Sequence, residues 1–467
     1  MAALCGLSFA VSLCAQGPQA ENFSPALLQQ LEAIKTAALS DDYAYQQLAH
    51  LTENIGARPS GSAAAKAAVE YVAAQMRAIG LDVRLEEVKV PHWVRGVESA
   101  ELVDYSGHAP GTQQKIVLTT LGGSTTTGAA GISAGLVVVN DFDELKALGR
   151  EKVTGKIVLF NEKFDEQKAG AGLAISAYRD AVVYREGGPK AAAELGAVAA
   201  LIRSVGSAAF RLPHTGDSDP AGVPAAAVTA EDAELIAHLA AEGQVSMHLT
   251  LTPQKLPDEI SYNVIGDLKG SEHPQQVVIV SGHLDSWDLG TGALDDGAGV
   301  VIAMETAQLL QQLHLHPLRT LRVIAWMDEE TNGSGSKQYG KDNVKDFPNY
   351  IAALESDAGA GHPLGFAMKM SNAAVEALTP LQMVFNSTGA TIFEESSRPP
   401  GTTDIMPMSQ EGVPILGILQ DVRAYYDYHH TAADTLDKIV PSELRENAAA
   451  MAVMAYALAN MKNPLPR

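Results

Sequence analysis

The chain has 467 residues, a formal charge of −22 at pH 7 and an apolar fraction of 46%. This length allows two to three domains, and the apolar content is that of a globular protein rather than a disordered chain. The excess of acidic groups argues against nucleic acid as a partner, because a nucleic-acid-binding protein needs basic groups that neutralise phosphates.

The first residues differ in composition from the rest of the chain. A short apolar core at residues 4–13 is followed by small residues and then by polar sequence, which predicts a secretory signal peptide over residues 1–20. The core is too short for a membrane span, and no other apolar run has the length of one. We therefore expect a secreted or periplasmic protein; a lipoprotein signal at Cys14 and a cytoplasmic N-terminus are the alternatives.

The two cysteines, Cys5 and Cys14, both lie inside this segment. After its removal the chain would have no disulfide, no thiolate nucleophile and no thiolate metal ligand. Any catalytic metal must then be bound by histidines and carboxylates.

The elements that follow are helical at first. Residues 24–59 are predicted to be mostly helical, and residues 62–79 form an Ala-rich helix with apolar residues at helical spacing. Gly80 is a suitable C-terminal cap for this helix. The alternation of apolar and polar residues over 83–90 then predicts an edge strand.

Residues 106–255 contain a loop rich in Gly and Thr and several short apolar runs. Helices are predicted to begin at Pro189 and after Thr229. We expect no catalytic cluster in this segment, which has the properties of an inserted lid or interaction domain. The predicted strands lie at 135–139, 155–160 and 197–202.

The remaining chain contains four apolar runs that are typical of buried parallel strands. A helix over 297–313 separates the first two runs, and an Ala-rich helix over 441–461 ends the chain. The four strands are predicted at 275–283, 319–327, 350–354 and 414–419.

Each of these strands is followed by histidine or carboxylate residues. In open α/β sheets the carboxyl ends of parallel strands meet at one edge, where ligands bind. Buried carboxylates without cations would repel one another, so the cluster predicts a metal site. The residues concerned are His283 and Asp285, Asp295 and Asp296, Glu329 and Glu330, Asp357, and His429 and His430.

A dinuclear site would use such a set. Two histidines and three carboxylates, one of them bridging, suit zinc. Two divalent ions roughly 3.5–4 Å apart can share a water and lower its pKa, while a further carboxylate acts as general base. Asp285 lies on the same strand face as His283 and is placed to support it by hydrogen bonding.

The order and content of these motifs resemble the zinc-dependent exopeptidases, the family of leucyl-type aminopeptidases and glutamate carboxypeptidases. The resemblance covers nearly the whole chain after the signal. Trp287 favours the carboxypeptidase-type members over the leucyl aminopeptidases, although a packed aromatic is the simpler interpretation of this residue. The motifs that carry the resemblance are Ser281-Gly282-His283-Leu284-Asp285, Asp295-Asp296-Gly297, Glu329-Glu330 and His430-Thr431-Ala432-Ala433-Asp434-Thr435.

The resemblance implies a fold and a domain organisation. The expected fold is α/β, with a mixed, mainly parallel sheet sandwiched by helices. Residues 21–105 and 256–467 would be the two parts of the catalytic domain, and residues 106–255 an inserted protease-associated domain. A homodimer is also implied.

It further implies a role for each site residue. Two Zn²⁺ ions per chain would be bound by His283, Asp295 as the bridging carboxylate, Glu330, Asp357 and His430. Glu329 would be the general base, and Asp285 would support the site. His429 is an alternative ligand by spacing alone. The resemblance also implies a cis peptide between Asp295 and Asp296.

The expected function is hydrolysis of dipeptides or short peptides from one end. An aminopeptidase is the main alternative; a receptor-like relative without activity and a single-zinc cyclase are further ones. Arg398 is a candidate for binding a substrate carboxylate, although an exposed loop arginine is the simpler interpretation.

Overall fold

The computed structural model describes residues 22–207, 210–219 and 222–467. The predicted signal peptide, residues 1–20, lies outside the described residues. Within the described ranges no helix is both long and apolar enough to cross a membrane.

The strands belong to two sheets. In chain order they are β1 (Asp82–Val94), β2 (Glu98–Asp104), β3 (Gln114–Ile116), β4 (Leu118–Thr120), β5 (Ile132–Val139), β6 (Ile157–Phe160), β7 (Ala199–Arg203), β8 (Ala225–Val228), β9 (Ser246–Leu251), β10 (Gln254–Leu268), β11 (His273–His283), β12 (Arg319–Trp326), β13 (Tyr350–Glu355), β14 (Pro363–Lys369), β15 (Ile392–Glu395) and β16 (Ile415–Gln420).

The helices cover the faces of these sheets. In chain order they are α1 (Pro25–Ala38), α2 (Tyr43–Ala49), α3 (Ala63–Ile79), α4 (Phe142–Val153), α5 (Glu166–Lys168), α6 (Ala174–Glu194), α7 (Ala230–Glu242), α8 (Ala298–Gln312), α9 (Ser334–Asn343), α10 (Asn372–Leu378), α11 (Gln382–Phe385), α12 (Met406–Gln410), α13 (Tyr425–Tyr428) and α14 (Pro441–Asn460). Short π-helical turns occupy His50–Ile55, Ala169–Leu173 and Ala293–Gly297, and 3₁₀ turns occupy Val344–Asn349, Thr379–Leu381 and Leu436–Lys438.

The first sheet has the strand order β1-β10-β12-β11-β13-β16-β14-β15. Its four central strands, β12, β11, β13 and β16, are parallel, whereas β10 and β14 run antiparallel to their central neighbours. The predicted mixed α/β sheet with four parallel strands is therefore confirmed. Its carboxyl edge is the place where the residues after each strand can meet.

Helices pack on both faces of the first sheet, as the alternation along β11 shows. Val278 and Val280 belong to a core that includes α1, α3, α8 and α14. Val277 and Ile279 point the other way, into a smaller core with residues of α9 and α12. Successive strand residues point to opposite faces, so a strand covered on both sides must be apolar throughout.

The second sheet has the order β3-β2-β9-β5-β6-β7-β8-β4. Helix α7 covers one face, and α4 with the end of α6 covers the other. Strands β3–β9 fall inside the segment predicted to be an insertion, and β2 precedes it. The predicted strands at 135–139, 155–160 and 197–202 are present with shifted ends, and β8 is a further strand that was not predicted.

Helix α6 is much longer than expected. A start at Pro189 was predicted, but the helix begins at Ala174 and the proline lies inside it. Ala177 and Ala181 are buried along its first half, so tertiary packing stabilises turns that the proline rule would exclude. This longer helix extends from the second sheet toward the carboxyl edge of the first.

Candidate metal centre

The five predicted metal ligands lie together at the carboxyl edge of the first sheet. Asp295 is between the two histidines: its Oδ1 is 3.1 Å from His283 Nε2, and its Oδ2 is 3.0 Å from His430 Nε2. The peptide between Asp295 and Asp296 is cis, as predicted. Asp295 therefore has the position of a bridging carboxylate.

The other two carboxylates divide between the histidines. Asp357 Oδ1 lies 3.5 Å from His283 Nε2, and Glu330 Oε2 lies 3.1 Å from His430 Nε2. We call His283, Asp357 and Asp295 Oδ1 the His283 half, and His430, Glu330 and Asp295 Oδ2 the His430 half. Each half offers one imidazole and two carboxylate oxygens, a suitable donor set for zinc.

His429 lies against the His430 half. Its Nε2 is 3.4 Å from Asp295 Oδ2, and its ring stacks on that of His430 with 3.6 Å between centroids. Burial first and then His430 lower its pKa well below the usual range. His430 is within ion-pair distance of Glu330 as well as Asp295, so the geometry favours His430 as the ligand.

His283 is oriented by its own strand end. Its backbone N–H donates to Asp296 Oδ2 at 3.0 Å, and its Nδ1 is 3.1 Å from the carbonyl oxygen of Asp285. Gly282 permits this arrangement, because a Cβ there would lie 2.6 Å from Asp296 Oδ2. With Nδ1 bound to a carbonyl, Nε2 is free to accept a metal.

The carboxylate of Asp285 has a different role from the one expected. Its Oδ1 is 3.9 Å from His283 Nδ1, too far for a hydrogen bond. It accepts from the backbone N–H of Asp328 at 2.7 Å, of Glu329 at 3.1 Å and of Glu330 at 3.3 Å. Asp285 therefore orients the turn that carries the predicted base.

The turn before Glu329 has an unusual backbone. Asp328 has φ of 72°, a left-handed conformation that a non-glycine residue seldom adopts. The hydroxyls of Thr331 and Ser334 donate to its carboxylate. These contacts and those of Asp285 hold the turn in a conformation that is unfavourable by itself.

Asp434 belongs to the motif that begins at His430, and the fold gives it a role that the motif does not indicate. Its carboxylate accepts from the backbone N–H of Ala293 at 2.9 Å, of Leu294 at 2.7 Å and of Asp295 at 3.2 Å. It thus fixes the loop that carries Asp295. Its fixed spacing from His430 in the motif was the one feature of the sequence that could have indicated this role.

Arg58 was missed altogether. It is fully buried and donates to the carbonyl oxygens of Leu284 at 2.7 Å, Thr291 at 2.6 Å and Gly292 at 2.8 Å. It braces the loop between β11 and α8. Its neighbours in sequence give no hint of this, because the loop that it holds is more than 200 residues away.

The second sheet also contacts the candidate centre, although residues 106–255 contain none of the proposed ligands. The N–H of Thr215 donates to the carbonyl of His430 at 2.9 Å, and the Thr215 carbonyl lies 3.2 Å from His430 Nδ1. Arg185 Nη1 is 3.5 Å from the same ring nitrogen and 2.9 Å from Tyr178 Oη. His430 itself has φ of 61°, so this docking holds a strained residue.

Trp287 packs where the two sheets meet. Its ring is nearly perpendicular to that of Trp93, with 6.3 Å between centroids, and lies 5.9 Å from that of His430. It also lies over Gly122, where a Cβ would be 2.4 Å from Trp287 Cη2. The residue is a packed aromatic and at the same time a wall of the site.

Two cavities meet at the candidate centre. The larger, about 1040 Å³, is lined by ligand residues of both halves, by Glu329 and by Arg398. The smaller, about 490 Å³, is lined by Trp93 and Trp287 together with prolines and many polar residues. Glu330 lines both, so a ligand could reach the centre from either side.

His283, His430 and Asp295 stabilise one another's ionised forms. Burial alone would lower the pKa of His283, but Asp295 and Asp357 hold it well above its usual range. Burial likewise opposes charge on His430, whose pKa is nevertheless raised to about 9 by Glu330 and Asp295. Burial would raise the pKa of Asp295, but the two histidines hold it well below its usual range. Positive charge on both sides of Asp295 therefore keeps its carboxylate ionised.

The remaining carboxylates of the centre have raised pKa values, because too few positive charges lie near them. Burial and then Asp295 raise the pKa of Glu330 to about 7. Burial raises the pKa of Glu329 well above its usual range, and Asp357 adds to this. Burial also raises the pKa of Asp357. Divalent cations would reverse these directions, because they favour the ionised form.

These residues fit a metal site. Asp295 Oδ2 and Glu330 Oε1 are buried and, within the described part of the chain, receive no hydrogen bond. Atoms of His283, Asp295 and Glu330 that can act as ligands lie within 4.8 Å of one another. Buried carboxylate oxygens without donors are costly unless a cation binds them.

Known proteins with similar sequences show which family this chain belongs to. The profile of Peptidase family M28 matches residues 263–455. Carboxypeptidase Q from Bos taurus is 37% identical over 91% of this chain and 86% of its own length.

Solved structures share the fold. A Peptidase M28 precursor from Shewanella amazonensis has a TM-score of 0.88 at 34% identity and covers 94% of this chain and 98% of its own. A zinc aminopeptidase from Bacillus subtilis has a TM-score of 0.64 at 20% identity, covering 91% of this chain and 98% of its own. The family predicted from the motifs is confirmed. This chain belongs to peptidase family M28 and is a metallopeptidase.

Proposed function

We propose that the chain is a dinuclear zinc exopeptidase that hydrolyses dipeptides or short peptides. The observation that carries this proposal is the place of Asp295 between two ligand groups, with one carboxylate oxygen facing each. The names of carboxypeptidase Q and of the zinc aminopeptidase among its relatives point the same way.

The chain's own residues have distinct tasks in this reaction. Two bound zinc ions would polarise the scissile carbonyl and lower the pKa of the attacking water. Glu329, which faces the larger cavity, accepts the proton of that water and delivers it to the leaving amine. Asp285 keeps Glu329 in place through the backbone of its turn.

The direction of cleavage distinguishes two candidates. A carboxypeptidase Q-like activity is our first proposal, on the basis of 37% identity to that enzyme. An aminopeptidase is the alternative, in line with the name of the Bacillus subtilis relative. A receptor-like protein without activity is not favoured, because all five proposed ligands and the proposed base are present together.

The wider organisation of the protein is also proposed rather than shown. We propose that residues 106–255 are a protease-associated insert, that a signal peptide directs the chain to the periplasm or the exterior, and that it forms a homodimer. Light scattering on the purified protein, and N-terminal sequencing of the protein exported by its host, would test the last two.

The central test uses a dipeptide panel with free, N-blocked and C-blocked members, run with and without a chelator, together with metal analysis. We expect two zinc equivalents per chain and activity that the chelator removes and zinc restores. Tolerance of the N-block indicates a carboxypeptidase, and tolerance of the C-block an aminopeptidase. Full activity in a metal-free preparation would contradict the mechanism.

A further inference from the structure

Two arginines lie next to each other in the lining of the larger cavity. Arg179 lies on α6, a helix that packs on the second sheet. Arg398 lies on the loop after β15 of the first sheet. Arg179 Nη2 donates to the carbonyl oxygen of Arg398 at 3.3 Å. The same cavity is lined by Glu329 and Asp357, so both cations face the space where peptide would be cleaved.

The loop that carries Arg398 is pinned beside the candidate centre. Gly401 has φ of 57°, and a Cβ there would lie 2.6 Å from the carbonyl oxygen of Asp357. On its other side the loop contacts β16, because a Cβ at Gly417 would be 2.2 Å from the carbonyl of Pro400. The position of Arg398 relative to Asp357 is therefore set by backbone contacts.

Neither arginine has an anionic partner among the residues that the structure describes. Within the described ranges no carboxylate oxygen lies within the 4.0 Å ion-pair distance of either guanidinium. Partial burial and then the charge of Arg398 lower the pKa of Arg179. By contrast, Arg185 in the same cavity is committed to Tyr178 and to the carbonyl of Asp217.

We infer that Arg179 and Arg398 bind the C-terminal carboxylate of the substrate. An anion between them would offset the repulsion of two like charges, and guanidinium groups match carboxylate geometry with paired hydrogen bonds. A free amino group would be repelled here and drawn instead to the acids at the centre. The subsite selects peptides with a free C-terminus, an inference that rests on the proposed peptidase activity.

The subsite also gives the second sheet a role in specificity. One of its two cations comes from each sheet, so the site is complete only when the sheets are docked. A chain with the centre intact but α6 displaced would lose recognition of the carboxylate.

The test compares a dipeptide with its C-terminal amide on the zinc-loaded enzyme. We expect the wild type to prefer the free acid. In the double variant Arg179→Gln/Arg398→Gln, KM for the acid should rise by roughly 10- to 100-fold, as expected for lost charge-assisted hydrogen bonds, with kcat and amide cleavage changed less than about twofold. The single variant Arg398→Lys should retain part of the preference for the free acid over the amide.

Arg77→Gln is the matched control, since Arg77 is an exposed arginine on α3. Its acid-to-amide ratio of kcat/KM should equal that of the wild type. An unchanged ratio in a double variant with normal zinc content and thermal unfolding would overturn the inference, as would a wild type indifferent to the amide. Cleavage of neither substrate by the wild type would instead contradict the proposed function.

Discussion

The two halves of the candidate centre are supported by different parts of the molecule. His283 ends a central strand and is oriented by Asp285 and Asp296, which are 2 and 13 residues away. His430 lies on a turn with a left-handed backbone and contacts Thr215 and Arg185, which are 215 and 245 residues away. One half depends on local chain geometry, and the other depends on the docking of the second sheet.

This difference predicts unequal robustness. The His283 half should persist whenever the first sheet is folded, because its supports belong to the same strand end. The His430 half should weaken when contact between the sheets is disturbed. Asp295 belongs to both halves and connects them.

The largest effect is expected from Asp295→Asn, which replaces the carboxylate that both halves share. The amide loses the negative charge that both histidines face, so both metal positions should weaken and turnover should fall by more than about 10³-fold. Zinc content by mass spectrometry and initial rates check this. Retention of two zinc equivalents with normal rates would contradict the bridging assignment.

Glu329→Gln should separate chemistry from metal binding. Glu329 is assigned to neither half, so zinc content should stay at the wild-type value while kcat falls by about 10²–10⁴-fold, the usual contribution of a general base. Glu330→Gln is the control, because it should lose zinc from the His430 half. A Glu329→Gln enzyme with near-normal turnover would refute the assignment of the base.

Arg185→Met should break the symmetry of the two halves. It removes one of the contacts that the second sheet makes with His430, while those of the Thr215 backbone remain. The affinity for one of the two zinc ions should fall by about 10- to 100-fold, as is typical for residues behind a ligand. Chelator titration should then show two separate steps. Arg203→Met, which removes another buried arginine of the second sheet, should leave a titration like the wild type.

The smallest effect on turnover is expected at a buried acid away from the centre, where the consequence of burial appears in stability instead. Glu305 accepts a hydrogen bond from the N–H of Ala44 at 3.0 Å, and burial raises its pKa to about 8. An unfolded Glu titrates near pH 4.3. Between about pH 4.3 and 8 the folded protein therefore keeps a proton that the unfolded chain has lost, and stability falls as pH rises.

Glu305→Gln should remove this dependence. At pH 9 the variant should be more stable than the wild type by up to about 5 kcal/mol, with little difference near pH 4. Denaturant unfolding across this range measures it, with Glu70→Gln on the exposed face of α3 as the control. Equal pH profiles for wild type and Glu305→Gln would show that Glu305 ionises normally.

Much of the first sheet could be predicted because its signals are local. The four apolar runs appear as the parallel strands β11, β12, β13 and β16, and Gly80 caps α3 with a left-handed backbone. The residues of the candidate centre follow those strands. Once four strands are parallel, their ends share an edge, so the gathering of His283, Glu330 and Asp357 follows from strand direction.

Other features could not be predicted, because they depend on contacts between distant residues. The start of α6 was placed too late, since its first turns are stabilised by packing rather than by propensity. The carboxylate of Asp285 was expected to support His283, but the fold turns it toward the N–H groups of residues 328–330. Arg58 had no recognisable signal.

The sequence by itself determined the family, the mixed α/β fold and the set of residues gathered at the sheet edge, because strand periodicity and motif order are properties of short segments. Only the tertiary structure decided how those residues are divided and supported. Arg185 and Thr215 lie beside His430, and Arg179 lies beside Arg398, because the second sheet docks on the first. Such docking depends on the packing of surfaces far apart in sequence, which no local pattern encodes.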